Sequence, residues 1–111
     1  MKALKDSKRT RQARQFKHLG YLEGLTYQNL VDILGEPTYI RKYKGNTWRT
    51  MWAVRHKGNL FTIYDWGNQD LRETQEETIK WRVGGYTDID GLRARLAFKA
   101  DQLYRLRYSN N

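Results

Sequence analysis

Two runs of alternating side chains, TWRTMWAVRH over Thr47–His56 and NLFTIYDW over Asn59–Trp66, decide the fold. They are separated by Lys57-Gly58, and a dipeptide that ends in glycine between two alternating runs is typical of a two-residue β-hairpin turn. The sequence therefore predicts two antiparallel strands, which pair from His56 opposite Asn59 toward the far ends of both runs.

This register divides the hairpin side chains between two faces, because successive residues of a strand point to opposite sides of the sheet. One face carries large apolar side chains and is predicted to form the core, with Trp48, Trp52 and Trp81 in it. The other face interleaves basic with aromatic and apolar side chains in three cross-strand pairs: Arg49 with Trp66, Met51 with Tyr64, and Arg55 with Leu60. Two interpretations of this second face stay open: it binds a partner, or a helix covers it.

The segments around the hairpin add a short helix and further strands. Thr26 is a good N-cap for a helix over residues 27–34, which Gly35 ends. Short alternating runs predict additional strands over Tyr39–Tyr43 and Thr78–Val83.

The C-terminal part of the chain has a different periodicity. Apolar residues recur at helical spacing from Ile89 to Leu106, and Thr87-Asp88 has the sequence of a helix cap. The sequence therefore predicts an α+β domain over residues 21–111. Its expected parts are a short capped helix, a three- to four-stranded antiparallel sheet and a long amphipathic C-terminal helix.

Positive charge is concentrated in two stretches of this 111-residue chain, whose formal net charge is +9. Residues 1–20 hold seven basic residues against Asp6 alone, and residues 41–60 hold six basic residues and no acid. Such stretches attract polyanions, although basic segments also keep small domains soluble without contacting anything specific. We interpret residues 1–20 as a basic N-terminal arm that is either disordered or helical from Ser7 to about Leu19.

The capped-helix segment carries a family resemblance. Gly24-Leu25-Thr26, followed by Leu34-Gly35-Glu36-Pro37, resembles the repeat of SmpA/OmlA outer-membrane assembly lipoproteins and of β-lactamase inhibitory proteins. The resemblance implies helices packed on one face of an antiparallel sheet, in a class that is used for protein–protein binding. The lipidated cysteine of the lipoproteins has no counterpart, since the chain contains no cysteine, so their envelope role does not transfer.

A second resemblance extends over about residues 24–86. The features that carry it are Leu34-Gly35-Glu36-Pro37, Trp52, Thr62-Ile63-Tyr64-Asp65-Trp66 and Trp81-Arg82-Val83-Gly84-Gly85. In these features the chain is similar to small uncharacterised proteins of tailed phages. This resemblance implies a viral source and no catalytic activity. We therefore expect a protein of the host cytoplasm, also because no apolar run approaches the roughly 20 residues of a membrane span and none follows the basic start as in a signal peptide.

The residues that carry catalytic chemistry are few. Without cysteine there is no disulfide framework, Cys-based zinc site or thiol nucleophile. His18 and His56 have no further ligand at metal-binding spacing, so both are expected to be exposed, and no cofactor or metal is predicted. Asp65 points to the predicted core face, either as a general base or ligand receptor or, as we favour, as an acid that fixes a turn or pairs with an arginine.

The pattern favours a non-enzymatic protein that binds a polyanionic partner, either nucleic acid or an acidic, nucleic-acid-containing host complex, in host takeover or counter-defence. Two alternatives remain: a protein–protein interaction inhibitor or virion component, and a protein that sequesters a nucleotide signal. Long-range attraction is assigned to the arm and local contact to the second hairpin face, where stacking and phosphate pairing act together. The predicted binding residues are Lys8, Arg9, Arg11, Arg14, Arg49, Arg55, Tyr64 and Trp66.

Overall fold

The computed structural model describes residues 1–12, 16–86 and 89–108, without the side chains of residues 106–108. It has the α+β architecture that the sequence predicts. The elements follow in the order α1 (Lys8–Gln12), β1 (Lys17–Thr26), α2 (Tyr27–Leu34), β2 (Tyr39–Tyr43), β3 (Thr47–His56), β4 (Asn59–Gly67), β5 (Thr78–Gly85) and α3 (Ile89–Tyr108), with short 3₁₀ turns at Lys44–Asn46 and Leu71–Glu73.

The five strands form one antiparallel sheet in the order β1-β5-β4-β3-β2. The central hairpin has the predicted register, from His56 opposite Asn59 at the turn to Arg49 opposite Trp66 near its open end. Lys57 and Gly58 adopt the positive φ angles, 49° and 80°, that a tight hairpin turn between twisted strands requires. The prediction for the hairpin is confirmed.

Helix α2 begins and ends where its sequence predicts. The Thr26 hydroxyl accepts a hydrogen bond from the Asn29 backbone N–H at 3.0 Å, and the Asn29 side chain accepts one from the Thr26 N–H at 2.9 Å. At the other end, Gly35 has a φ of 89° and donates its N–H to the Val31 carbonyl. Backbone groups at both ends of α2 thus have hydrogen-bond partners within the segment, which fixes where the helix begins and ends.

Helices α2 and α3 pack on one face of the sheet and build the core. The largest fully buried side chains come from both layers: Leu30 and Leu34 of α2, Trp52, Phe61, Ile63 and Trp81 of the sheet, and Leu92 and Leu96 of α3. Trp52 and Trp81 thus lie where the sequence places them, whereas Trp48 is half-buried outside this cluster. The predicted cap at Thr87-Asp88 and the Leu106 side chain lie outside the described residues.

Strand β1 corrects the prediction for the end of the arm. A helix continuing to Leu19 is wrong at residues 17–19, because the chain there is already paired with β5. β1 also crosses position 20, where the predicted boundary between arm and domain lies. Two register shifts in its pairing with β5 break the alternation by which a strand is identified in a sequence.

The first residues of the chain are held by backbone hydrogen bonds. Ala3 donates its N–H to the Leu34 carbonyl at 2.9 Å, and Leu4 donates its N–H to the Ala53 carbonyl at 2.8 Å. The Thr38 hydroxyl donates to the Leu4 carbonyl at 2.7 Å. Met1 and Ala3 pack against the core, so the start of the arm belongs to the same packed unit as the sheet.

The start of α3 is joined to the edge strand β1. Arg93 donates from its Nε and Nη2 atoms to the Tyr21 carbonyl, at 3.1 and 2.9 Å. Its Nη1 atom donates to the Asp90 carboxylate in the same helix. These contacts fix the start of α3 against the outer edge of β1.

Candidate nucleic-acid interface

The sheet face opposite α2 and α3 is here called the outer face. One row of paired residues crosses it from end to end: Tyr39, Met51, Tyr64, Arg82 and Tyr21. Side chains two residues away along each strand point to the same side. The outer face therefore combines the predicted aromatic and basic hairpin side chains with those of three more strands.

The N-terminal segment covers one part of the outer face. Leu4 packs against the small buried cluster of Tyr39, Met51 and Ala53. Phe16 lies beside Gly84, and its Cβ atom is 3.5 Å from the position that a Cβ on Gly84 would occupy. Neither α2 nor α3 covers the outer face, since both pack on the core face. The segments on either side of α1 cover the part near Ala53 and Gly84.

The rest of the outer face, here called the open surface, keeps its polar and aromatic groups accessible. Arg55, Lys80 and Arg82 are exposed, Tyr43 and Tyr64 are half-buried, and Trp66 is 50% exposed. Trp66 is one of the few large apolar side chains of the described residues that face solvent to this degree. An exposed tryptophan among cations is the arrangement that interface hot spots and base-stacking platforms share.

Arg49 lies beneath this surface. Only 5% of it is exposed, and its Cζ atom is 4.8 Å from the Tyr64 ring centroid and 5.1 Å from that of Trp66. Trp66 in turn stacks on Tyr43, with ring centroids 5.3 Å apart and planes inclined by 21°. Arg49 thus orients the aromatic rings and adds positive potential, instead of forming the outward contact that the sequence predicts for it.

Among the predicted binding residues of the arm, Arg11 is connected to the outer face through Asp6 and Arg41. Lys8 and Arg9 are exposed on α1, whereas Arg11 is bound to the Asp6 carboxylate, which also accepts a hydrogen bond from Arg41 of β2 at 2.8 Å. The Arg11 guanidinium foremost, with that of Arg41, holds the pKa of Asp6 below its usual range. Arg14 lies outside the described residues.

Lys80, Arg82 and Arg41 belong to this interface although the sequence analysis did not select them. Lys80 and Arg82 lie on the polar side of a correctly predicted strand, but only the pairing of β5 with β4 places that side next to Tyr64. The Lys80 Nζ atom is 4.3 Å from the Tyr21 ring centroid and 3.7 Å from the Glu23 carboxylate. The alternation of residues 78–83 predicted the strand and its polar side, but not that this strand would lie next to β4.

The acidic loop over residues 67–77 leaves the open surface free of internal neutralisation. Asp70 of this loop pairs with Arg72 two residues away, and this arginine holds the pKa of Asp70 below its usual range. Among the described residues, neither Arg55 nor Arg82 forms an ion pair with any acid. The charges of Arg55 and Arg82 are therefore available to a partner, whereas Lys80 already pairs with Glu23.

The two histidines differ in their surroundings. His18 is exposed, as expected, but the expectation for His56 is wrong, because only 7% of this residue is exposed. His56 continues the core face of β3, and its ring centroid is 6.4 Å from that of Phe61. In the part of the chain that the structure describes, no group of three or more His, Asp or Glu side chains is placed to hold a metal ion.

Asp65 lies on the core face of β4 opposite Thr50, as the hairpin register predicts. Burial raises the pKa of its carboxyl group, and a hydrogen bond from the Trp66 backbone and the positive charge of Arg82 oppose this shift only in part. The ionised form is therefore less favourable in the folded protein than in the unfolded chain. This destabilisation begins as the pH rises through the pKa of the unfolded chain and is complete above the raised pKa of the folded protein.

Replacing Asp65 by asparagine is accordingly expected to increase the free energy of unfolding at pH 7. The gain should disappear at pH 3, where the carboxyl group of the wild type is protonated. Urea unfolding at both pH values measures it, with Asp90→Asn as the control, since Asp90 is exposed and paired with Arg93. A wild type more stable than Asp65→Asn at pH 7 would contradict this account.

Comparisons with protein-family models, with curated proteins and with solved structures give no match for this chain. Within the described ranges, none of the helices combines the length and the apolar character needed to cross a lipid bilayer.

Proposed function

We propose that this protein binds single-stranded nucleic acid through the open surface and the neighbouring cations of α1. The observation that carries the proposal is the half-exposed Trp66 on the open surface, which also presents Arg55 and Arg82, two arginines that form no ion pair with any acid of the described residues. A role in the host cytoplasm, such as host takeover or counter-defence, stays a prediction of the phage resemblance.

Electrostatics supplies the first part of the binding energy. Each phosphate that a lysine or arginine neutralises releases condensed counterions, so affinity falls as the salt concentration rises. Arg55, Lys80 and Arg82 present three cations on one face, and Lys8 and Arg9 add two more on α1. Lys80 and Arg82 lie two residues apart on β5, where Arg82 is opposite Tyr64, and Arg55 lies near the hairpin turn.

Aromatic contact supplies the second part. A base in a single strand is free to leave its neighbours and to stack on an aromatic ring, at a gain of about 1–3 kcal/mol per base. Trp66 and Tyr43 form a stacked pair that Arg49 holds from the sheet side, so the rings are ordered before a ligand arrives. Paired bases inside a duplex are stacked on their neighbours and do not offer their faces in this way, which favours the single strand.

The test is fluorescence anisotropy of a labelled 20-residue oligothymidylate, titrated with the protein in a salt series from about 20 to about 500 mM. We expect binding at low salt, with the logarithm of the association constant falling linearly at about 0.7 per neutralised phosphate. A duplex of equal length and polyphosphate serve as competitors and should displace the strand less well. Absence of binding at the lowest salt concentration would overturn the proposal, as would equal competition by polyphosphate.

A further inference from the structure

We infer that Asp6 is an internal competitor of the nucleic acid: its carboxylate occupies the Arg11 and Arg41 guanidinium groups that bind a phosphate of the strand, and the phosphate displaces it. The inference rests on the proposed function and names the regulation of that same site. Its basis is the position of a single acid between two arginines at the edge of the open surface.

Asp6 joins two elements that are distant in the sequence. Its Oδ1 atom accepts from Arg11 Nε at 3.1 Å, and its Oδ2 atom accepts from Arg41 Nη2 at 2.8 Å and from Arg11 Nη2 at 3.4 Å. The Asp6 side chain is 28% exposed and that of Arg41 38%. The carboxylate is therefore held by directed hydrogen bonds, yet it can be reached from solvent.

The surroundings of Asp6 hold more positive than negative charge. Arg41 lies directly opposite Arg49 in the pairing of β2 with β3, an arrangement in which like charges repel. Arg49 has a buried Nε atom with no hydrogen-bond partner among the described residues. The Asp6 carboxylate thus pairs with two arginines, and Arg49 adds a third positive charge on the neighbouring strand, so the net charge around Asp6 favours an anion.

A phosphodiester can take the place of this carboxylate. Both groups spread one negative charge over two oxygen atoms, and both match the fork of donors that a guanidinium presents. A diester that binds Arg11 and Arg41 therefore replaces the hydrogen bonds of Asp6 one for one. Asp6 returns to water as it leaves, so its charge is hydrated again and is not left buried without a partner.

The backbone on either side of Asp6 is anchored, so its side chain can turn away while the segment stays in place. Before it, Ala3 and Leu4 donate to carbonyls of α2 and β3. After it, the Ser7 N–H donates to the Thr10 hydroxyl at 2.8 Å, at the start of α1. Displacement thus needs a side-chain rotation and no unfolding of the arm.

The first test compares Asp6→Asn with Asp101→Asn. Both variants remove one negative charge. Asp6→Asn releases Arg11 and Arg41, whereas Asp101→Asn releases only Arg105 on α3, on the other side of the sheet. We expect Asp6→Asn to bind the oligothymidylate about fivefold more tightly at low salt, and Asp101→Asn to stay within about twofold of the wild type. Equal effects of the two substitutions would overturn the inference.

The second test uses the wild-type protein, so it does not depend on how a variant folds. The carboxyl ¹³C signal of Asp6, followed as the pH is lowered, should show a low pKa in the free protein. With saturating oligothymidylate, whose bases do not titrate in this range, the pKa of Asp6 should rise toward its ordinary value. Strand binding with an unchanged pKa of Asp6 would overturn the inference and leave the proposed function intact, whereas absence of strand binding would overturn the proposed function itself.

Discussion

Replacing Arg55, Lys80 and Arg82 together by alanine is expected to weaken binding of the 20-residue single strand about a hundredfold at low salt. Each of these side chains is exposed on the open surface, and each neutralised phosphate contributes to the salt dependence. The slope of the logarithm of the association constant against that of the salt concentration should accordingly fall by about 2. Anisotropy titrations of the labelled oligothymidylate measure both quantities.

A second triple variant supplies the control for charge alone. Arg95, Lys99 and Arg105 lie on α3, on the other side of the sheet, and their replacement by alanine removes the same three charges from the formal total of +9. Because long-range attraction depends on total charge, this variant should lose affinity as well, but by less than about tenfold. Equal losses in the two variants would mean that the strand binds without preference for the open surface.

Replacing Trp52 by alanine is expected to lower the free energy of unfolding by about 3–5 kcal/mol. Trp52 is completely buried, its indole N–H donates to the Gly35 carbonyl at 2.9 Å, and its ring meets that of Trp81 edge-on with centroids 5.3 Å apart. Truncation leaves a cavity at the point where the hairpin, α2 and β5 meet. Such a loss is a large share of the total stability of a small domain, about 5–15 kcal/mol.

Urea unfolding followed by circular dichroism measures the effect, and Trp66→Ala provides the matched comparison. Trp66 is half-exposed, so the same substitution there should cost only about 1 kcal/mol, from its contacts with Arg49 and Tyr43. Trp52→Phe keeps an aromatic ring in the core and should lie between the two. Similar losses for Trp52→Ala and Trp66→Ala would contradict the assignment of Trp52 to the core.

Local patterns were enough to predict the hairpin and α2. The alternation on both sides of Lys57-Gly58 specifies which residues pair. A slip of one position would move Trp52 from the core face to the outer face. In α2 the Thr26 cap and the Gly35 stop lie within one short segment. Such elements can be predicted from the sequence, because the residues that determine each of them lie within a short segment.

Long-range contacts explain what the sequence did not predict. Strand β1 forms because β5 offers it an edge, and its bulges hide the period of two from inspection. His56 is buried because the core extends as far as the hairpin turn, beside Phe61. The docking of Leu4 on Ala53 depends on a free backbone edge of β3 that becomes visible only when the short length of β2 is known.

The candidate site shows the same division. The pairing of Arg49 with Trp66 follows from the register, whereas the burial of Arg49 between Tyr64 and Trp66 depends on how the rings fold over it. Likewise, the sequence shows that Asp6 is the one acid of a basic segment, but its contact with Arg41 spans 35 positions. Partners within the hairpin were predictable, whereas contacts between segments distant in the sequence were not.

Arg93 also blocks a hydrogen-bond acceptor on the β1 edge, where a strand of a second molecule would pair. An exposed strand edge is the place where sheets of separate molecules join and aggregate, and natural proteins block such edges with charged side chains. At the β1 edge the Tyr21 carbonyl is already saturated by two N–H groups of Arg93, so an incoming strand finds no acceptor there. The helix that completes the core thus also opposes the addition of a strand at this point of the β1 edge.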